Sequence, residues 1–265
     1  GEGKHVSGQL ETAGALARLV VRINSIRHQI GPVDALIVSG DLSDDGSKEG
    51  YARFKTLLAP LDLPTYVIPG NHDARDPLRR AFADHLPVAG PLNWARKVGD
   101  VYLVGLDTLV EGHGHGTLSD ETLAFLGDAL ACTDGSAVLL ALHHPPFSSG
   151  ISFMDAIGLT NAQDLRNAVI GYQGELRIVC GHIHSMMVTN VGGHTAISAP
   201  SPCSTFAYDI RSDAPVGYLS QDDGCLLHRW DAGFPSIRIA PKAGPGPFPF
   251  CSSELTESKT SERTT

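Results

Sequence analysis

Four short apolar runs in this chain each end in a polar tip, and that repetition restricts the fold more than any other feature. They are Ala35-Leu-Ile-Val-Ser-Gly-Asp41, Thr65-Tyr-Val-Ile-Pro-Gly-Asn-His-Asp73, Ala137-Val-Leu-Leu-Ala-Leu-His-His-Pro-Pro146 and Leu176-Arg-Ile-Val-Cys-Gly-His-Ile-His184. Short, β-branched-rich apolar runs closed by Gly or Pro read as buried strands of a sheet covered on both faces. Taken singly, each tip is an ordinary strand-end turn in which Asn and Asp suit the backbone geometry.

Helical patterns separate these runs. Leu16, Leu19, Val20, Ile23 and Ile26 share one face ahead of Gly31-Pro32, and 48–58, 76–85, 119–130 and 161–169 read as further helices. A strand is expected over 101–106, and short β segments over 187–191, 195–198, 225–230 and 236–240. This alternation predicts an α/β fold.

In open α/β sheets, ligands bind beyond the carboxyl ends of the strands. That rule gathers Asp41, Asn71, His72, His143, His144, His182 and His184 at one place. A structural core would need a partner for every one of these polar groups, whereas a metal site accounts for all four tips at once. Alternation across Ile183 predicts an extended segment with His182 and His184 on one side. Pro145-Pro146 fix the backbone after the two histidines. The glycine-flanked pair His113 and His115 reads as a flexible loop lining or covering the site, and 147–159 as a loop long enough to be a lid or an oligomer contact. Asp107 reads equally as a site residue or a strand-end turn, and Asp44-Asp45 as solvated caps.

Composition limits the functions available. The 265 residues suit one large domain, 1–242, with a Pro/Gly- and then Ser/Thr-rich tail, 243–265, expected to be disordered. A formal charge of −9 disfavours a nucleic-acid polymer as partner, and no run approaches a membrane span. Five cysteines without a Cys-x-x-Cys pair give neither a disulfide framework nor a thiolate zinc site, and Cys180 reads as an inert core thiol. Cytoplasmic location is the expectation.

In this order, Gly40-Asp41, Gly70-Asn71-His72-Asp73, His143-His144-Pro145-Pro146 and Gly181-His182-Ile183-His184 resemble the calcineurin-like metallophosphoesterase superfamily. His143-His144-Pro145-Pro146 and the Gly112–Gly116 loop are similar to the branch with class III cyclic-nucleotide phosphodiesterases and bacterial glycerophosphodiesterases. The resemblance implies a four-layer α/β/β/α sandwich with a two-metal centre. It implies that Asp41 bridges both metals, that Asn71, His143 and His182 complete one site, and that His184 belongs to the other. His72 would be the unligated imidazole acting on the leaving group or the transition state, with His113, His115 and His144 lining the substrate.

The implied activity is hydrolysis of a small phosphodiester, a 3′,5′-cyclic nucleotide or a glycerophosphodiester, by a hydroxide bridging two divalent ions. Carboxylate and imidazole ligands suit Mn, Fe, Co or Zn alike. Alternatives within the resemblance are a phosphomonoesterase or phosphonate esterase, and outside it a metal-binding protein without turnover. A homo-oligomer is expected. The family's first block, a strand followed by Asp-x-His, has no counterpart in this sequence, and Glu2 and His5 do not replace it. The expectation is that this block lies upstream of Gly1, so that the sheet as written lacks its first strand.

Overall fold

Every strand tip named above falls at the end of a strand in the computed structural model, which describes residues 10–248. Strand β1 (Leu36–Val38) runs parallel to β2 (Thr65–Val67), with Ile37 opposite Tyr66. Among the described residues, β2 is the only hydrogen-bonded neighbour of β1. A second, six-stranded sheet has the order β3-β4-β5-β6-β8-β7. Its members are β3 (Trp94–Val98), β4 (Val101–Gly105), β5 (Ala137–Ala141), β6 (Leu176–Cys180), β7 (Val188–Val191) and β8 (His194–Ser198). The strands β4, β5, β6 and β8 are parallel, while β3 and β7 close the edges antiparallel. The last pair, β9 (Cys225–His228) and β10 (Ser236–Ile239), is an antiparallel hairpin.

The layering follows from alternation along β5, whose five residues are all buried. Leu139 and Ala141 join a core with Val67 and Ile68 of the first sheet and Tyr51, Leu78 and Phe82 beyond it. Val138 and Leu140 point the other way, into a core with Leu126, Leu130, Leu165 and Val169. Tyr51 belongs to helix α2 (Lys48–Leu58) and Leu78 to α3 (Arg75–Ala81), on which α1 (Thr12–Ile30) also packs through α2. Leu126 and Leu130 lie on α4 (Asp120–Cys132), and Leu165 and Val169 on α6 (Ala162–Val169). Helices, small sheet, large sheet, helices is the four-layer sandwich implied by the motifs.

Helix ends obey capping chemistry. Ser47 and Ser119 accept from Gly50 N and Thr122 N to start α2 and α4, and Gly31, at φ +81° and ψ −170°, a conformation open to glycine, follows α1. The structure corrects several expectations of detail. The third helix ends at Ala81 instead of 85, and β3 was not anticipated because Trp94-Ala-Arg-Lys-Val98 carries little apolar alternation. Trp94 nevertheless anchors it, its Nε1 donating to Val67 O at 2.7 Å across the two sheets. A one-turn helix, α5 (Ser152–Asp155), sits inside the loop 147–159. The tail is irregular over 243–248, and the remainder of it, like Glu2 and His5, lies outside the described residues. No helix among the described residues is long and apolar enough to cross a membrane.

Candidate metal centre

Four donor atoms from four strand tips converge. His143 Nε2 lies 3.1 Å from Asn71 Oδ1 and 3.4 Å from Asp41 Oδ2. His182 Nδ1 lies 3.1 Å from the same Asn71 oxygen and 3.3 Å from His143 Nε2. Donors held about 2.0–2.2 Å from one ion are themselves separated by roughly 3.0–3.5 Å, so the spacing suits a shared cation.

Proton bookkeeping points the same way. His143 Nδ1 donates to Ser39 O at 2.6 Å, which leaves Nε2 of the neutral ring as a lone pair. Asn71 turns its Oδ1, and not its amide nitrogen, toward both rings. The lone pairs of His143 Nε2 and Asn71 Oδ1 therefore face one another, and a cation between them would satisfy both. His182 Nε2 is buried without a hydrogen-bond partner, a polar atom left unpaired at the edge of the cluster.

The loops are shaped for this convergence. Gly40 has φ of +102°, and a Cβ there would run into the His143 ring and come within 2.8 Å of the Gly70 backbone. Asp41, His182 and His184 are left-handed at φ 56°, 68° and 51°. The expected extended segment across Ile183 is therefore corrected: successive left-handed turns, not strand alternation, carry the two histidines, and Ile183 between them is buried. Non-glycine residues hold such backbones where the surroundings over-determine them, as at binding sites.

Asp73 binds the first two tips together. Its buried carboxylate accepts from Gly70 N at 2.8 Å, Leu42 N at 3.2 Å, Ser43 N at 3.3 Å and Tyr51 Oη at 3.1 Å. Tyr51 Oη in turn accepts from Ala74 N at 2.9 Å. The loop bearing Asp41 and the loop bearing Asn71 and His72 are thus clamped by one side chain. Nothing in the sequence marks this residue, because an Asp in a turn needs no further role.

Burial sets the charge states. It lowers His182 to about 3, with the His143 charge adding and Asp41 opposing. It lowers His184 to about 4, against the pull of Asp41. Both rings are neutral near neutral pH. Burial works to raise the Asp41 carboxyl, yet His143, His72 and the His72 N–H outweigh it and hold it below its ordinary value.

His72 is placed differently from the converging donors. Its side chain is half exposed at 49%, its backbone N donates to Asp41 Oδ1 at 3.0 Å, and its Nδ1 lies 3.3 Å from Asp44 O. Asp44 Oδ1 is 3.6 Å from the same nitrogen, so a residue read as a solvated cap is a partner of His72. Asp45 does cap, accepting from Ser47 N.

His144 departs from its expected role of lining the substrate. It is fully buried, with Nε2 donating to Gly114 O at 3.0 Å and Nδ1 accepting from Thr108 Oγ1 at 2.8 Å. His143, His144 and His182 offer nitrogens within 4.8 Å of one another, but both of His144's are engaged in hydrogen bonds that hold the loop. Burial with the His143 and His182 charges lowers it to about 2, which keeps it neutral. His113 is exposed and stacks edge-on with His115 at 5.1 Å, on the loop that His144 anchors. Asp107 resolves as structural: it takes a bidentate pair from Arg75 at 2.7 and 3.0 Å and accepts from Leu92 N and Leu109 N.

Comparison with known proteins agrees with this geometry. A probable glycerophosphodiester phosphodiesterase GpdQ of Arcobacter nitrofigilis is 31% identical over 94% of this chain and 92% of its own length. The 3′,5′-cyclic adenosine monophosphate phosphodiesterase CpdA of Pseudomonas aeruginosa is 33% identical over 75% of this chain and 70% of its own. A dimetal phosphatase from Danio rerio shares the fold at a TM-score of 0.59 and 16% identity, covering 76% of this chain and 82% of that one. A sequence model of calcineurin-like phosphoesterases matches residues 5–186, a span that holds all four strand tips and every converging donor. By that match and that geometry together, the chain belongs to the calcineurin-like phosphoesterase family.

Proposed function

We propose that this chain is a metal-dependent phosphodiesterase acting on small phosphodiesters at the centre formed by Asp41, Asn71, His143 and His182. The observation that carries the reading is the convergence of four metal-ligating side chains from four strand tips, with donor atoms 3.1–3.4 Å apart. Asp41 would be the carboxylate available to two ions, and His184 would serve the second. When bound, two divalent ions supply Lewis-acid activation of water and neutralise charge at the phosphate. Mn, Fe, Co and Zn all suit the donor set.

The chain's own residues supply the rest. Asp73 and Tyr51 hold the two loops in register, so the ligands are fixed before substrate arrives. His72, half exposed and outside the converging set, faces substrate and protonates the leaving alkoxide or steadies the phosphate oxygens. That work is typically worth about 10²–10⁴-fold. His113 and His115 line the approach. The substrate class, a glycerophosphodiester or a 3′,5′-cyclic nucleotide, is supported by the names of the relatives. The net charge of −9 supports a small substrate over a nucleic-acid polymer. The reading places the enzyme in the cytoplasm as a homo-oligomer, which fractionation and sedimentation test.

The deciding assay compares bis(p-nitrophenyl) phosphate with p-nitrophenyl phosphate in the presence of Mn²⁺, then glycerophosphoethanolamine with cyclic AMP. Preference for the diester is expected. Turnover of the monoester alone would overturn the reading, and so would no turnover with two ions bound.

A further inference from the structure

The stretch from Ser198 to Phe206 folds back along His184 and grips it at three places. Ser201 N donates to the His184 carbonyl at 3.3 Å, and Ser204 Oγ lies 3.1 Å from His184 Nδ1. Phe206 lies flat on the imidazole, centroids 4.8 Å apart and planes 17° apart. Phe206 is held in turn by Phe153 of α5, edge-on at 5.3 Å and 85°. The next residue, Ser185, is fastened as well: its Oγ lies 2.8 Å from Thr205 Oγ1, and its carbonyl accepts from Ser198 Oγ at 2.6 Å.

This stretch follows the matched family region, which ends at 186. Its hydroxyls are not surface decoration, since Ser204 is 2% exposed and Thr205 6%. The buried Ser204 hydroxyl also takes a weak contact from Cys203 Sγ at 3.8 Å, and the direction of its hydrogen bond with His184 Nδ1 decides which ring nitrogen carries the proton. Only one of the two possible directions, Nδ1–H donating to Ser204 Oγ, leaves a lone pair on Nε2 of the neutral imidazole. A metal-binding histidine is commonly oriented by such an outer partner, whose loss costs about 10–100-fold in affinity.

We propose that Ser204 and Phe206 are positioning residues for His184: the Ser204 hydroxyl holds the proton on Nδ1, and Phe206 fixes the ring plane, so that Nε2 faces the second ion. The inference rests on the two-ion reading above for its consequence, but the tautomer it assigns is a property of the metal-free chain. It makes the affinity of the second ion depend on residues that touch neither metal nor substrate.

The test uses the full chain with Ser204→Ala, Ser204→Thr and Phe206→Leu. Mn²⁺ titration by calorimetry should show the weaker-bound ion losing about tenfold or more in affinity in Ser204→Ala. The tighter ion should stay within about twofold, and Ser204→Thr should restore the weaker one. Phe206→Leu should weaken the same ion, with kcat recovering at saturating Mn²⁺. In the metal-free chain, imidazole ¹⁵N shifts should report the Nδ1–H tautomer for His184 in the parent and in Ser204→Thr, and its loss in Ser204→Ala. Equal weakening of both ions, or an unchanged tautomer in Ser204→Ala, overturns the proposal. If the parent binds one ion or fails to cleave bis(p-nitrophenyl) phosphate, the two-ion reading falls, and the metal-free tautomer still decides the role of Ser204.

Discussion

His143 Nε2 and Asn71 Oδ1 face each other across 3.1 Å with no proton between them, because the ring's one N–H is spent on Ser39 O. Two acceptors at hydrogen-bond distance repel unless a cation lies between them. The pair thus makes metal part of the fold's own balance as well as of its chemistry. Chelation with EDTA is expected to abolish phosphodiester hydrolysis and to lower the thermal midpoint, since an ion that binds only the folded chain stabilises it in proportion to the logarithm of its excess over Kd. Added Mn²⁺ should restore both. Asn71→Ala and His143→Ala should lose the tighter ion and stop responding to it. A midpoint indifferent to EDTA in the parent would contradict the assignment.

His72→Ala should part rate from metal content. The ring is half exposed and stands apart from the converging donors, touching Asp44 instead. Metal analysis should show the parent's stoichiometry, while kcat falls about 10²–10⁴-fold. Loss of metal in parallel with rate would make His72 a ligand.

The clamp at Asp73 is read through Tyr51, whose ring is fully buried. Tyr51→Phe removes the donor to Asp73 and the acceptor of Ala74 N while leaving the packing in place. A buried group left unsatisfied costs about 1–3 kcal/mol. Urea unfolding should show that loss, and metal affinity should drop with it as the two loops come apart. A variant as stable as the parent, with unchanged metal affinity, would show that Gly70, Leu42 and Ser43 suffice.

Away from the centre, His228 gives a pH dependence. Burial and the neighbouring Arg177 charge lower it from 6.5 to about 4, and its Nδ1 meets Ser236 Oγ at 2.7 Å. Between pH 6.5 and 4 the unfolded chain binds the proton that the folded chain refuses, so stability falls as the pH drops through this window. At neutral pH both states hold the ring neutral and the penalty vanishes. His228→Gln should be insensitive to that proton. The stability difference between parent and variant should therefore shift by roughly 1–3 kcal/mol in favour of the variant from pH 7 to pH 4.5. A pH-independent difference would mean that the ring is solvated in the folded state.

The strand tips were readable because each couples two signals of different kinds: an apolar run that burial demands, and a polar end that burial forbids. Asp41, Asn71, His143 and His182 meet where that coupling put them. His144 shares the signal and not the outcome, because its direction depends on Thr108 and Gly114, residues distant in sequence with nothing to mark them. Asp44, which reads as a solvated cap, and Asp73 carry no mark for the opposite reason: an acid in a turn is so ordinary that its partners alone distinguish it. The β3 edge has no sequence signature because Trp94 works through one hydrogen bond and ring contacts with Tyr66 at 5.2 Å and His85 at 5.9 Å, and not through a repeating pattern.

The left-handed backbones at Asp41, His182 and His184 have an evolutionary consequence. An L-residue with a side chain gives up roughly 1–2 kcal/mol in that conformation, and glycine gives up almost none of it. For the folded chain alone, Asp41 and His184 are thus poor choices at their own positions, tolerated for what their side chains do. A library of variants propagated in the presence of a chelator and only for resistance to heat, with no demand for activity, should drift to Gly or Asn at these two positions sooner than elsewhere on the same loops. Sequencing the survivors would reveal it, and the chain would forget its chemistry before it forgot its shape.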